Sequence, residues 1–425
     1  MTPQSASMMP EQPRPHRATA SPQSVHSGME SGEGKVSGTG SNIDRSTTTK
    51  RHRIIHVVGA LIAGGAERSA KDLVLAMRRE GMPVELAALV PRRDDAGLEW
   101  ERELEAAGVP VHLGPVARLR PPTVVWLAKL LRAPDVRIVH LHLTYTEIAY
   151  YFSRFLHRRR YGVLRKIHNT QLPEGMHDWA SRHSDVRFYY ACGEAAHKAN
   201  LGYCKGEQVL IPNGLDFRWE PHSAALRTDR LRELGLDPKE THFVSVGAFR
   251  GPSPETAQKA QDVLIAAWKK SGAGAKNARL HFLGGGNLLD AHKALAGNDP
   301  SIVFHGIDPN AWKWMAACDV FCLPSRWEGL PLSGVEAVAT GVPCIFSDID
   351  PNRELQAEIA DYAPPNDVDA LAMVIQKWIG RRESASAEHV RWQRERWGVG
   401  RVMRTFVGIY DRLMPPDGSG PIDPK

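Results

Sequence analysis

Apolar residues fall into short runs separated by amphipathic or polar stretches, and this alternation persists along most of the chain. Arg53 to Gly59 reads as a strand, followed by a loop from Ala60 to Gly65 and a helix from Ala66 to Glu80. Further strands are read at Pro83 to Val90, Val109 to Leu113, Asp135 to His142, Val163 to His168, Arg187 to Ala191 and Gln208 to Pro212, with a helix at Thr123 to Leu131. A second series starts at the strand Phe243 to Gly247. It continues through helix Ala260 to Lys270, strand Arg279 to Gly284, helix Asn287 to Leu295, strand Ile302 to His305 and helix Ala311 to Ala317. Strand Asp319 to Pro324 and strand Val342 to Ser347 then flank a Gly-Leu-Pro turn and a short helix, Leu332 to Ala339, closed by Thr340-Gly341. Strands alternating with helices predict an α/β protein with two doubly wound parallel sheets. The domains expected are 51–216 and 241–387, joined by a polar linker over 217–240. Residues 388–414 read as one long basic helical segment and 415–425 as a loose tail. Residues 1–50 lack Phe, Trp and Tyr and are rich in Ser, Gly, Thr and Pro, a composition too poor in apolar surface to order itself.

Composition narrows the function. A chain of 425 residues accommodates two cores, and 42% hydrophobic with 7% aromatic residues fits a soluble globular protein. There is no apolar run of about 18 residues, and no secretion signal is read at the N-terminus. Cys192, Cys204, Cys318, Cys322 and Cys344 form no CxxC pair and sit mostly in apolar segments. They fit buried thiols of a reducing cytoplasm. The net charge of +6 suits an anionic substrate or a membrane face. No stacking aromatic motif accompanies it, so nucleic acid is a poor partner.

Several loops carry candidate chemistry. Gly64-Gly65-Ala66-Glu67 follows the first strand and opens a helix, where free backbone N–H groups can meet an anion. It matches neither a dinucleotide fingerprint nor a P-loop, and a packing turn would look the same. Arg250 and Lys259 follow the first strand of the second series and fall at its carboxyl edge, where open α/β sheets bind ligands. Two cations converging there suit a diphosphate. On the same edge stand Glu328 and, with seven residues between, Glu336. Carboxylates accept the paired hydroxyls of a sugar, whereas the Gly329 turn and the following helix N-terminus suit phosphate. Ser333 to Glu336 also has the spacing of a capping box, and the loop alone does not decide between the two. His168 ends a strand and can reach a cleft; His140 and His142 share one face of another strand and remain open; His305 reads as structural.

Taken in order, Gly64-Gly65-Ala66-Glu67, Ile211-Pro212-Asn213-Gly214-Leu215-Asp216, Phe282-Leu283-Gly284-Gly285-Gly286 and the pair Glu328 and Glu336 resemble the GT-B glycosyltransferases of family 4, a large retaining group. The likeness runs from about residue 54 to 414. It implies two Rossmann-like domains facing a cleft, with a nucleotide-sugar donor on the second and an acceptor mainly on the first. It implies Glu336 on the donor ribose, Glu328 on the transferred sugar, and the backbone of Gly329 and Leu330 beside the diphosphate. Arg250 and Lys259 would grip that diphosphate, Gly64 and Gly65 would approach it, and His168 would border the donor sugar. The last helix, within 388–414, would cross back to the first domain. The arginine departs from the family pattern: it stands two residues late and a longer loop separates it from Lys259.

The activity implied is transfer of a hexosyl group from a UDP- or GDP-linked sugar to an acceptor hydroxyl, with retention, in polysaccharide or glycoconjugate synthesis. The acceptor would be a sugar, a lipid-linked molecule or a small molecule. Because no Asp-x-Asp stands at a donor position, no metal or other cofactor is expected. The alternatives are a GT-B protein that binds nucleotide sugars without turning them over, or an epimerase or phosphorylase on the same architecture. Tyr150 to Leu156, running into His157-Arg158-Arg159-Arg160, forms an aromatic and basic stretch that could rest on the inner face of a membrane. An amphipathic core helix with a solvated basic end fits it equally.

Overall fold

The protein is described here by a computed structural model covering residues 52–157, 159–168 and 175–414. The tails at 1–50 and 415–425 lie outside the described residues, as do Arg158 and Asn169-Thr170. The first sheet contains β1 (Arg53–Val58), β2 (Val84–Ala88), β3 (Val111–Leu113), β4 (Val136–His142), β5 (Gly162–Ile167), β6 (Phe188–Ala191) and β7 (Glu207–Leu210). Its order is β3-β2-β1-β4-β5-β6-β7, with every pairing parallel. The second sheet contains β8 (Thr241–Val246), β9 (Ala278–Leu283), β10 (Ile302–Gly306), β11 (Val320–Leu323), β12 (Cys344–Ser347) and β13 (Ala360–Ala363). Its order, β10-β9-β8-β11-β12-β13, repeats that of the first and is again parallel throughout. The strand order reverses at β1/β4 and at β8/β11, and at such a switch point the loops leaving the carboxyl ends diverge and open a crevice.

Both sheets are covered on two faces, which explains why their strands read as continuous apolar runs. One face of the first sheet packs Leu73, Val74 and Met77 of the Gly65–Arg79 helix together with Phe406, Ile409 and Tyr410 of the Val399–Leu413 helix. The other packs Leu127, Leu131, Ala149 and Tyr150. In the second sheet the Gln261–Ser271 and Val368–Trp378 helices cover one face. The Ala311–Ala317 and Leu332–Thr340 helices cover the other.

The long basic helix expected over 388–414 is two helices, Ala387–Trp397 and Val399–Leu413, broken at Gly398. Gly398 is extended, and Leu215 bridges the break: its N–H donates to the Trp397 carbonyl (2.9 Å), and its carbonyl accepts from Val399 N–H (2.9 Å). Ala387–Trp397 packs on the Leu332–Thr340 helix, where Arg394 Nε donates to the Ala339 carbonyl, so this half belongs with the second sheet. Val399–Leu413 alone lies on the first sheet. The chain thus returns to the first half at Gly398, where Leu215 bridges the break.

Candidate active site in the cleft between the sheets

Loops from both switch points line one cleft of about 500 Å³. It brings together every residue proposed from sequence: Gly64, Gly65, His168, Arg250, Lys259, Glu328, Gly329, Leu330 and Glu336. On the first side, Asp94 builds the glycine loop by accepting from Ala63 N–H (2.8 Å) and Gly97 N–H (2.9 Å). The Gly65–Arg79 helix begins there with no side-chain cap, so its N-terminus opens on the cleft. Opposite stands the start of the Leu332–Thr340 helix, whose N-cap is Pro331, also without a side-chain cap. A Cβ on Gly65 would lie 3.3 Å from Leu332 Cδ1, so the two helix N-termini nearly touch. Their dipoles favour an anion held between them.

The capping box weighed for Ser333 and Glu336 does not form. Pro331 occupies the cap position, and the Glu336 carboxylate points across the cleft to Arg68, with Oε1 3.0 Å from the guanidinium. Glu336 is 5% exposed, and burial raises its carboxyl pKa against the pull of Arg68. Glu328 is equally buried. Its Oε1 accepts from Lys259 Nζ at 2.6 Å and its Oε2 from Gln258 Nε2 at 3.0 Å. Arg250, although displaced in sequence, lines the cleft and reaches over it, with its guanidinium 3.5 Å from the Ala63 carbonyl. The sequence Asp-x-Asp pairs at Asp348 and Asp367 do not line the cleft: Asp348 pairs with Arg353, and Asp367 caps the Val368–Trp378 helix.

The histidines separate by position. His168 lines the cleft, and its Nε2 is buried without a partner. Burial, together with Lys166 and Arg165, holds its imidazole pKa well down, so the ring is neutral at pH 7. His140 and His142 are core residues. His140 lies 2.7 Å from the Tyr410 hydroxyl and 2.6 Å from that of Tyr190, and His142 lies 3.1 Å from His56. His56, His140 and His142 have the spacing of metal ligands. Yet the His140 and His142 rings stack at 14°, and both His140 nitrogens meet hydroxyls. They form a hydrogen-bonded network under the Val399–Leu413 helix. His305 pairs with His281 at 3.0 Å beside Trp314.

Sequence reasoning passed over Glu67, Arg68, Asn213 and Gln258, all on the cleft wall. Glu67 was visible within the glycine motif. Its carboxyl is pushed up to about 7, chiefly by burial and against Arg250 and Lys166. Arg68 gave no local signal, since its partner lies in the other half of the chain.

Models of two families match the chain: "Glycosyltransferase Family 4" over residues 63–219 and "Glycosyl transferases group 1" over 240–381. A UDP-Gal:alpha-D-GlcNAc-diphosphoundecaprenol alpha-1,3-galactosyltransferase of Escherichia coli is 47% identical over 279 residues, 59% of this chain and 68% of that one. The chain belongs to the family 4 glycosyltransferases of GT-B fold. The lipopolysaccharide core biosynthesis mannosyltransferase LpsB of Rhizobium meliloti is 27% identical over 231 residues, 50% of this chain and 63% of that protein's length. Among solved structures, Anabaena HepE in complex with UDP and glucose superposes with a TM-score of 0.69 at 16% identity, covering 84% of this chain and 99% of its own. In this glycosyltransferase, then, the cleft walls come from both halves of the fold. No described helix is long and apolar enough to cross a membrane.

Proposed function

We propose that the protein transfers a hexosyl group, with retained anomeric configuration, from a UDP-linked sugar to a sugar hydroxyl on a polyprenyl-diphosphate lipid. The observation that carries this is the convergence of Lys259, Arg250 and two uncapped helix N-termini on one cleft that also holds Glu328 and Glu336. The donor class, galactose, and the lipid-linked acceptor are supported by the name of the Escherichia coli relative, which is 47% identical over 279 residues.

The chemistry requires a leaving diphosphate and an oxocarbenium-like centre to be stabilised together. Lys259, Arg250 and the helix ends supply fixed positive potential where the diphosphate charge grows. Glu336 accepts the ribose hydroxyls and Glu328 those of the transferred sugar. His168, neutral and with a free nitrogen, borders that sugar. Positive charge at the diphosphate position, in place of paired aspartates, supports turnover without a metal. The test is purified protein with UDP-galactose and a short-chain GlcNAc-diphosphoryl lipid, with and without EDTA, followed by α- and β-galactosidase digestion of the product. Galactosyl lipid sensitive only to α-galactosidase and formed in EDTA is expected. Free UDP-glucose with no lipid product would indicate an epimerase, no product of either kind an inactive binder, and loss in EDTA restored by manganese a metal-dependent enzyme.

A lipid-linked acceptor also needs a surface. Phe152, Phe155 and Trp179 are exposed and gathered round Tyr151, with Phe152 stacked on Trp179 and Arg154 over Phe155, and Met176 is exposed on the helix that carries Trp179. We assign this face of the first half to an anionic membrane surface. Wild type should pellet with phosphatidylglycerol vesicles at low salt and Phe155→Ser should not; failure of the wild type to pellet removes the assignment.

A further inference from the structure

Arg68 belongs to the first half of the fold, yet its guanidinium meets, across the cleft, the carboxylate expected to hold the donor ribose. Its Nη2 lies 3.0 Å from Glu336 Oε1. Around the pair stand Lys71 and Asp72 of the same helix and Glu103 of the Asp95–Ala106 helix; Lys259 and Glu328 line the same cleft as a separate pair. Lys71 is engaged by Asp72 (3.0 Å) and Glu103 (2.6 Å), which leaves Arg68 as the cation in contact with Glu336.

We propose that Arg68 is a positioning residue for the donor nucleotide, holding Glu336 ionised and oriented so that its second oxygen accepts the paired ribose hydroxyls. This rests on the reading of Glu336 as the ribose-binding carboxylate. The need for such a residue follows from burial. A carboxyl closed off from water gains a proton unless a cation opposes it. A protonated carboxyl offers one donor and one acceptor, and it loses a contact when it faces two hydroxyl donors. Burial does raise the Glu336 pKa, and Arg68 is the strongest influence against that rise. Because the cation comes from the opposite half, ribose binding depends on both halves being in place, so the donor and the approach of the two halves are coupled.

The experiment is calorimetric titration of UDP and 2′,3′-dideoxy-UDP into wild type, Arg68→Met, Arg68→Lys, Glu336→Gln and the Arg68→Met/Glu336→Gln double variant at pH 5.5, 7 and 8.5. The ratio of the two affinities isolates the ribose contact and cancels phosphate titration. Wild type should keep a constant ratio. Arg68→Met should lower it about tenfold at pH 5.5, the scale of one charge-assisted hydrogen bond, and recover as pH rises and Glu336 ionises unaided. Arg68→Lys should restore most of the ratio at every pH, and the double variant should match Glu336→Gln. Equal losses for both ligands in Arg68→Met, or a wild-type ratio at all pH values, overturns the proposal while Glu336→Gln still lowers the ratio. A wild-type ratio in Glu336→Gln overturns the ribose role of Glu336 itself, and the proposal with it.

Discussion

Replacing Lys259 by Met removes one of the two cations expected at the diphosphate and strands Glu328. The pair is short, at 2.6 Å, with the Lys259 side chain 20% exposed and that of Glu328 5%. Breaking a fully buried pair costs about 3–5 kcal/mol. Here a fifth of the lysine is open to solvent and Gln258 still donates to Glu328, so a stability loss of about 1–3 kcal/mol is expected. The effect on binding is separate. One charge-assisted contact is worth about 1.5–3 kcal/mol, which at about 1.4 kcal/mol per factor of ten is roughly 10- to 150-fold in Kd. The free enzyme gives up part of the Lys259–Glu328 contact on binding, which pulls the figure toward the lower end. The unpaired Glu328 of the variant repels a diphosphate and pushes it back up. Calorimetry with UDP and uridine separates these contributions from general damage. UDP should weaken at least tenfold and uridine by less than twofold, with Lys259→Arg in between. If UDP and uridine weaken equally, or UDP binds as in wild type, Lys259 is not a diphosphate ligand.

Four further outcomes can be checked. Gly193→Ala puts a Cβ 2.7 Å from the Gly329 carbonyl, so the donor loop must shift; melting and UDP titration should show a loss of about 1–3 kcal/mol from overpacking, and no change in either would mean the loop yields freely. Glu67→Gln tests the carboxyl raised from 4.5 to about 7. The folded state holds its proton longer than the unfolded chain, so wild-type stability falls relative to the Gln variant as pH rises from 4.5 to 7, by up to about 3 kcal/mol, read by denaturant melts; parallel curves refute it. Glu328→Gln frees Lys259 from its carboxylate, so UDP should bind about two- to tenfold tighter while sugar transfer falls; weaker UDP binding counts against the exchange of partners. Tyr410→Phe leaves a buried His140 nitrogen unpaired and should cost about 1–3 kcal/mol in denaturant unfolding, with Tyr190→Phe less than additive to it.

What the sequence made legible depended on whether the signal was local. The strands of both sheets are buried on two faces, so each leaves an unbroken apolar run such as Val320 to Leu323, and the alternation follows from reading those runs. Gly64, Lys259 and Glu328 sit on loops leaving strand ends and Gly65 and Glu336 on the helices that follow, where polar residues and glycines at a carboxyl edge stand out. The break at Gly398 was hidden because Arg394 to Met403 keeps helical spacing on both sides; it is imposed by Leu215, far earlier in the chain. Ser333 to Glu336 satisfies the capping spacing, yet Pro331 takes the cap and Arg68 takes the carboxylate. His140 and His142 stayed ambiguous because an alternating histidine pair looks the same at a site or beneath a helix. Only the Tyr190 and Tyr410 hydroxyls distinguish the two.

The same pairing logic governs both carboxylates of the cleft. A buried carboxylate is costly without a partner, and each here meets a cation: Glu328 meets Lys259 from its own half, Glu336 meets Arg68 from the other. The two cations differ in what an incoming donor can do with them. Lys259 is a flexible ammonium beside the expected diphosphate, able to turn toward it and leave Glu328 to the sugar hydroxyls. Arg68 is a planar fork anchored near Asp72 (3.6 Å), and on the proposed role of Glu336 the ribose would meet the oxygen that Arg68 does not contact. One pair is therefore built to exchange partners and the other to persist. If Arg68 positions Glu336 as proposed, the ribose contact needs groups from both halves, whereas the Lys259–Glu328 pair lies within one half.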